Sequence, residues 1–232
     1  MEELIIGYTI YAAVIAFGII AIFFRVLDVT GSLVAIFFGT LILYSSGLNY
    51  LLMLIAFLVI GALSTRFKYQ YKKELGASEP NEGRRSINPV IANGIIPTFM
   101  AVLGNPYLLV GSLSAALADT MATEIGLLDE IAVSTTTGEK VKAGTRGAIS
   151  LYGEMAAVFG SLIIACLAIV LTGGFYIHMI VIALISGLIG CNIDSLVGAS
   201  MDFISKEEVN LLGTLTGAAV SAGIAVWFSL PI

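Results

Sequence analysis

All eleven Lys and Arg residues fall in alternate gaps between long apolar runs, and no other gap contains one. Arg25 occupies the first basic gap; Arg66, Lys68, Lys72, Lys73, Arg84 and Arg85 the second; Lys140, Lys142 and Arg146 the third; Lys206 the fourth. Short loops rich in Lys and Arg stay on the cytoplasmic side of a membrane. The alternation therefore predicts an even number of spans, both termini outside, and every basic gap inside.

The runs themselves support this reading. Of 232 residues, 58% are hydrophobic and 12% charged, against about 45–50% apolar in soluble domains. Mean hydropathy is +1.01. A helical span needs about 20 apolar residues, so the chain has room for around eight. They are expected near Leu4–Phe24, Val29–Ser45, Leu48–Ser64, Ile87–Leu103, Tyr107–Leu128, Ala148–Leu171, Tyr176–Ser200 and Leu211–Leu230. The cation-free gaps carry the turn-formers Ser45-Ser46-Gly47, Gly104-Asn105-Pro106 and Thr172-Gly173-Gly174. The expected fold is all-α: one polytopic helix bundle over 1–232, with cytoplasmic loops near 65–86, 129–147 and 201–210. The N-terminal run carries acids where a cleavable signal carries cations, and it exceeds an h-region of about 7–15 residues. It reads as a retained first span.

Several functions are disfavoured at once. Net charge is −5 and the cations are dispersed over four loops, which argues against a nucleic-acid partner. Cys166 and Cys191 lie in apolar runs and are expected to be free. The single His178 falls at a cation-free gap, so no histidine-based metal or nucleophile site can be assembled.

Acids in membrane spans cost at least about 2.5–3.5 kcal/mol each and usually face a cavity or a partner. Asp119, Glu124, Glu154 and Asp194 lie within the runs or at their ends. Asp119 and Glu124 are separated by about 500° of helical rotation, so their side chains diverge by about 140°. A common site therefore needs another helix, and Asp194 supplies it. Ala118-Asp119-Thr120-Met121-Ala122 aligns with Ile193-Asp194-Ser195-Leu196-Val197 as an internal repeat, an acid followed by a hydroxyl residue. Asp119 and Asp194, with Glu124, are the expected catalytic acids and ligands of Mg²⁺, which binds through one or two carboxylates plus substrate phosphates. The plainer reading is buried acids tied to Ser, Thr or Asn of neighbouring helices.

Two basic loops face the same side. Arg84-Arg85 precedes Asn88 and Asn93, and arginine forks match phosphate oxygens in bidentate geometry. Lys72 and Lys73 read as plain positive-inside content. In the other loop, Gly144-Thr145-Arg146-Gly147 follows Lys140 and Lys142 and precedes a helix, so its backbone N–H groups can point at an anion. It lacks the spacing of a Walker A loop. Arg84, Arg85, Lys140, Lys142, Gly144, Thr145 and Arg146 are the expected phosphate-binding set, with Asn88 and Asn93 orienting them.

At Ala118–Gly126, followed by Gly144-Thr145-Arg146-Gly147-Ala148-Ile149-Ser150, the chain resembles the DUF92 integral membrane family, which includes the plant phytyl-phosphate kinase. Arg84–Gly94, Asp194–Ala199 and Asn210–Gly217 look like further shared blocks. The acid–hydroxyl motif is more distantly similar to the CTP-dependent phytol and dolichol kinases. Many relatives look to carry Gly-Thr-Asn-Gly-Gly where this chain has Gly144-Thr145-Arg146-Gly147-Ala148. The resemblance implies phosphoryl transfer from a nucleoside triphosphate, CTP favoured, to a polyprenyl monophosphate of phytyl or geranylgeranyl type. The competing readings are a secondary transporter of a small anionic solute and a non-catalytic lipid-binding protein.

Overall fold

The computed structural model describes residues 2–173, 177–201 and 203–231, with side chains from Thr9 onward. Gly174 and Tyr176, an expected turn residue and an expected first residue of a span, lie outside the described residues. Among the described residues the chain forms eight long α-helices and one short one. They are α1 (Glu2–Phe23), α2 (Val29–Ser46), α3 (Leu48–Arg66), α4 (Tyr69–Glu74), α5 (Ile87–Val102), α6 (Pro106–Gly126), α7 (Leu151–Thr172), α8 (Ile177–Ser200) and α9 (Lys206–Trp227).

Among the described residues, six of them, α2, α3, α6, α7, α8 and α9, are long and apolar enough to cross a membrane. Against the expected count of eight stand six full-length spans among the described residues, and α5 and the Thr9–Phe23 part of α1 are apolar as well. At about 1.5 Å per residue, the 16 residues of α5 extend about 24 Å, short of a hydrocarbon core of about 30 Å.

Local chemistry sets the helix ends. Asp28 caps α2 by accepting from the Gly31 amide at 2.8 Å. Asn105 accepts from the amides of Tyr107 and Leu108 before Pro106 opens α6. Ser150 caps α7, and Ser205 with Glu208 forms a reciprocal capping box on α9. Gly47 and Gly173 leave α2 and α7 with φ of 85° and 77°, a conformation that favours glycine.

The central helix is α6, the most buried of the six spanning helices. Small residues bring α7, α8 and α9 onto it. A Cβ on Gly111 would stand 2.5 Å from Gly217 O, one on Gly190 would stand 2.5 Å from Ala115 Cβ, and one on Gly160 would stand 3.0 Å from Met121 Sδ. Without a hydrophobic drive in lipid, such close approach is how helices associate. Phe23, Leu33, Phe37, Tyr44, Phe159 and Val170 point outward, as a bilayer requires.

The gaps sort to two ends. Arg25 pairs with Glu82 at 3.2 Å, Arg66 donates to Phe24 O, Lys206 pairs with Glu79, and Arg146 donates to Ile204 O at 2.6 Å. These contacts gather all four cation-bearing gaps at one end, here the basic end. At the other end Asn49 reaches Leu171 O, Tyr50 reaches Gly104 O and Asn105 reaches Pro231 O. His178 lies at that end too, edge-on to Tyr107.

One element departs from a purely helical fold. Between α6 and α7 the chain forms a small antiparallel sheet, β1 (Ile131–Ser134), β2 (Lys140–Lys142) and β3 (Ala148–Ile149), in the order β2-β1-β3. Val133 lies opposite Lys140 and Ile149. Gly138, with φ of 70°, closes the β1–β2 turn. The strands are too short for a period-2 pattern to stand out beside the spans.

Candidate functional site

Two polar cavities lie side by side at the basic end. The first, about 350 Å³, is lined by Asp119, Glu154, Asp194 and the run from Ala143 to Ser150. The second, about 360 Å³, is lined by Arg84, Arg85, Ser86, Asn93 and Thr120. Glu79, Thr123, Glu124, Lys206 and Asn210 border both. The Glu79–Lys206 ion pair thus stands in the partition between them.

Asp119 and Asp194 do share one cavity. Both α6 and α8 run toward the basic end, and the acids lie seven and six residues before the last residues, Gly126 and Ser200. That is about two turns in each case. Two copies of the same short motif therefore reach the same depth. Asp194 lies against Gly213 of α9, where a Cβ would stand 3.3 Å from Oδ2. Asn210, one turn earlier on α9, joins three helices. In the amide orientation that satisfies both its oxygen and its nitrogen, it donates to Asp194 Oδ2 at 3.2 Å and to Lys206 O at 3.0 Å. It also accepts from Asn93 Nδ2 at 3.1 Å.

Glu124 borders the cavities but does not join the aspartates as a free ligand. Its Oε2 accepts from Lys72 Nζ at 2.5 Å, and Lys72 also donates to the carbonyls of Ser64 at 3.1 Å and Thr65 at 2.7 Å. Lys72 is completely buried, so its assignment to ordinary loop charge gives way to a structural one. The helical rotation explains the split: Glu124 points away from Asp119, toward α3 and α4. Glu154 lines the first cavity and accepts from Asn192 Nδ2 at 3.3 Å.

The phosphate-binding set divides. Gly144, Thr145 and Arg146 line the first cavity. Gly144 and Gly147 have φ of 87° and 69°, and Gly147 packs so tightly that a Cβ would lie 2.3 Å from Ala199 Cβ and 2.5 Å from Ser195 O. Thr135 Oγ1 donates to Gly147 O at 2.7 Å and fastens this turn to β1. Arg146 turns its Nη2 to the carbonyls of Ile204 and Met201, at 2.6 and 3.5 Å. It pins the loop after α8 as well as bordering the cavity. Lys140 and Lys142 alternate outward on β2, exposed, and line neither cavity.

Arg84 and Arg85 line the second cavity with buried Asn93, whereas Asn88 is exposed and lines neither. Arg84 Nη2 meets Glu82 at 3.3 Å, while its Nε is buried without an acceptor. Burial lowers the pKa of Arg85, against the opposing pull of the carboxylates of Glu124, Glu79 and Asp119. The guanidinium nevertheless stays charged at any physiological pH.

Lys72, Glu79, Lys206, Asn210 and Cys191 belong to this region although sequence reasoning assigned none of them to it. Lys206 carried a signal as the lone cation of its gap. Glu79 had none, lying in a stretch that reads as a turn. Cys191 is buried and Cys166 exposed, and both are free, as their apolar settings imply.

Among the described residues, no group of three or more His, Cys, Asp or Glu side chains could hold a metal ion unaided. The donor set is two carboxylates opening on a cavity, which fits a hard cation completed by water and phosphate oxygens and does not fit an all-protein cage.

Fold and cavity together define a polytopic α-helical membrane protein with a charged chamber at one end. The chain belongs to the DUF92 integral membrane protein family, whose profile matches residues 12–224. It is 34% identical over 216 residues to an uncharacterised membrane protein of Methanocaldococcus jannaschii, covering 89% of this chain and 88% of that one. An uncharacterised membrane protein of Synechocystis is 27% identical over 205 residues, covering 80% and 78%. Protein VTE6, chloroplastic, of Arabidopsis thaliana is 27% identical over 214 residues, covering 84% of this chain and 64% of the plant protein. No solved structure matches the chain.

Proposed function

We propose that the protein is a membrane-embedded kinase that transfers a phosphoryl group from a nucleoside triphosphate, CTP favoured, to a polyprenyl monophosphate, giving the diphosphate. The observation that carries this reading is the placement of Asp119 and Asp194 in a cavity that shares Lys206 with a second cavity holding Arg84 and Arg85. Kinship with VTE6 supports it, because the motif resemblance leads to the plant phytyl-phosphate kinase of the same family.

Phosphoryl transfer asks for little covalent chemistry from protein; it needs two phosphates in line and the charge on the moving group offset. An oxygen of the acceptor monophosphate forms the new bond to the γ-phosphorus, and the bond from that phosphorus to the β–γ bridging oxygen breaks, releasing the nucleoside diphosphate. The attacking oxygen is already anionic, so the absence of a histidine base is no obstacle. In this reading the glycine turn at Gly144 and Gly147 cradles donor phosphates, Arg84 and Arg85 hold the acceptor phosphate, and Lys206 offsets charge between them. Mg²⁺ on Asp119 and Asp194, when bound, would neutralise phosphate oxygens of the donor. The distribution of Lys and Arg supports a cytoplasmic orientation for this end, the side where nucleotide is available.

A secondary transporter is the second reading, favoured by the repeated acid motif on two parallel helices. Purified protein with labelled CTP and a panel of prenyl monophosphates separates the two. A labelled lipid diphosphate supports the kinase; uptake of an anion into sealed vesicles with no lipid product overturns it.

A further inference from the structure

A third cavity, apolar and about 50 Å³, lies among α1, α2, α3 and α5. Phe38, Leu51, Phe57, Leu58 and Val90 line it, and Arg85 and Pro89 belong both to this slot and to the second polar cavity. Arg85 is therefore the seam between a hydrocarbon-lined space and a charged one. Its backbone is fixed there: its amide donates to Val26 O at 3.0 Å, and its carbonyl accepts from the Asp28 amide at 3.1 Å. The guanidinium carbon sits 5.7 Å from the centre of the Phe57 ring, and Gly61 leaves room for it, since a Cβ there would stand 2.6 Å from Nη2.

Among the described residues, the basic side chains in ion pairs are Arg25, Lys72, Arg84 and Lys206, and Arg85 is in none of them. Glu124, Glu79 and Asp119 act on it only from beyond ion-pair distance, and a cation held against apolar walls is costly unless an anion joins it directly. Next to it, Arg84 Nε is a buried donor with no acceptor. A ligand that settles both groups places a phosphate in the second cavity and hydrocarbon directly behind it.

We propose that this slot receives the phosphate-proximal isoprene unit of a polyprenyl monophosphate, with the phosphate on Arg85. The inference rests on the kinase reading for the choice of lipid. A volume of about 50 Å³, on the scale at which about 150 Å³ holds the six carbons of benzene, takes about two carbon groups, so it holds part of one five-carbon unit and no more. The rest of the chain then runs out between helices into the bilayer, so the slot reads the first unit and leaves chain length unread.

Two measurements test this. Ala35 lines the slot, and Ala35→Phe fills it; the KM for geranylgeranyl monophosphate is expected to rise at least tenfold while the KM for nucleotide stays unchanged. For the unmodified protein in nanodiscs, a geranylgeranyl monophosphate carrying a diazirine on its first isoprene unit is expected to label peptides containing Phe57, Leu58 or Val90. Unlabelled geranylgeranyl monophosphate should suppress that labelling, and geranylgeraniol should not. Labelling confined to α8 and α9, or an unchanged lipid KM in a folded Ala35→Phe protein, overturns the slot. Specific labelling at the slot without any phosphoryl transfer overturns the kinase reading and leaves the lipid site standing.

Discussion

Lys72 Nζ donates to Glu124 Oε2 at 2.5 Å between two side chains that are 0% and 6% exposed. This pair ties the short helix α4 to α6, and the remaining donors of Lys72 satisfy the last carbonyls of α3. Removing one partner of a buried ion pair leaves the other charge uncompensated, at about 3–5 kcal/mol. Lys72→Met is therefore expected to lower the thermal midpoint in detergent strongly, and Lys72→Met combined with Glu124→Gln to recover part of the loss. A midpoint unchanged in Lys72→Met would show that Glu124 is neutralised by something else.

The Glu79–Lys206 pair differs in exposure, with side chains 32% and 58% exposed. Such pairs contribute about 0–1 kcal/mol. Lys206→Ala is expected to leave stability nearly unchanged while lowering turnover about 10²-fold, the scale for losing one preorganised contact to developing charge. Parallel melting curves and steady-state rates check the split; equal losses in both would reduce Lys206 to a structural role.

Gly147 and Gly138 have the same left-handed backbone, φ of 69° and 70°, but only Gly147 is packed against α8. Alanine at either position costs about 1–3 kcal/mol in local strain. Gly147→Ala is expected to go further, displacing the turn and reducing turnover, while Gly138→Ala keeps activity. Limited proteolysis of the sheet region together with rate measurements distinguishes them.

Asn210 orients Asp194 from the next helix. Partners that position a ligating carboxylate typically contribute 10–100-fold to metal affinity. Asn210→Ala is expected to raise the Mg²⁺ concentration for half-maximal activity by about that factor, with rates near normal at saturating metal. An unshifted Mg²⁺ dependence would remove Asn210 from the site.

Much of this architecture is legible in the residues. Gly47, Gly104 and Gly173 end helices where turn-formers predict it, and the alternating cations collect at one end of the bundle. The repeat around Asp119 and Asp194 is legible too, because equal motifs on parallel helices reach equal depth. Partner choice is not. Nothing in Lys72 distinguishes it from Lys73 until α4 folds back under α3, and the outward pleat of Lys140 and Lys142 depends on a sheet whose strands are two to four residues long. Arg146 has the right charge and position for phosphate, but its Nη2 turns to backbone carbonyls after α8. Long-range hydrogen bonding of this kind has no local signature.

The most direct test is transfer of label from [γ-³²P]CTP to geranylgeranyl monophosphate by reconstituted wild type, Asp119→Asn and Asp194→Asn, each matched for insertion and thermal midpoint. The wild type is expected to form labelled diphosphate and both variants to fall at least about 10²-fold. Undiminished product from either folded variant would contradict a phosphoryl-transfer centre built on these two carboxylates.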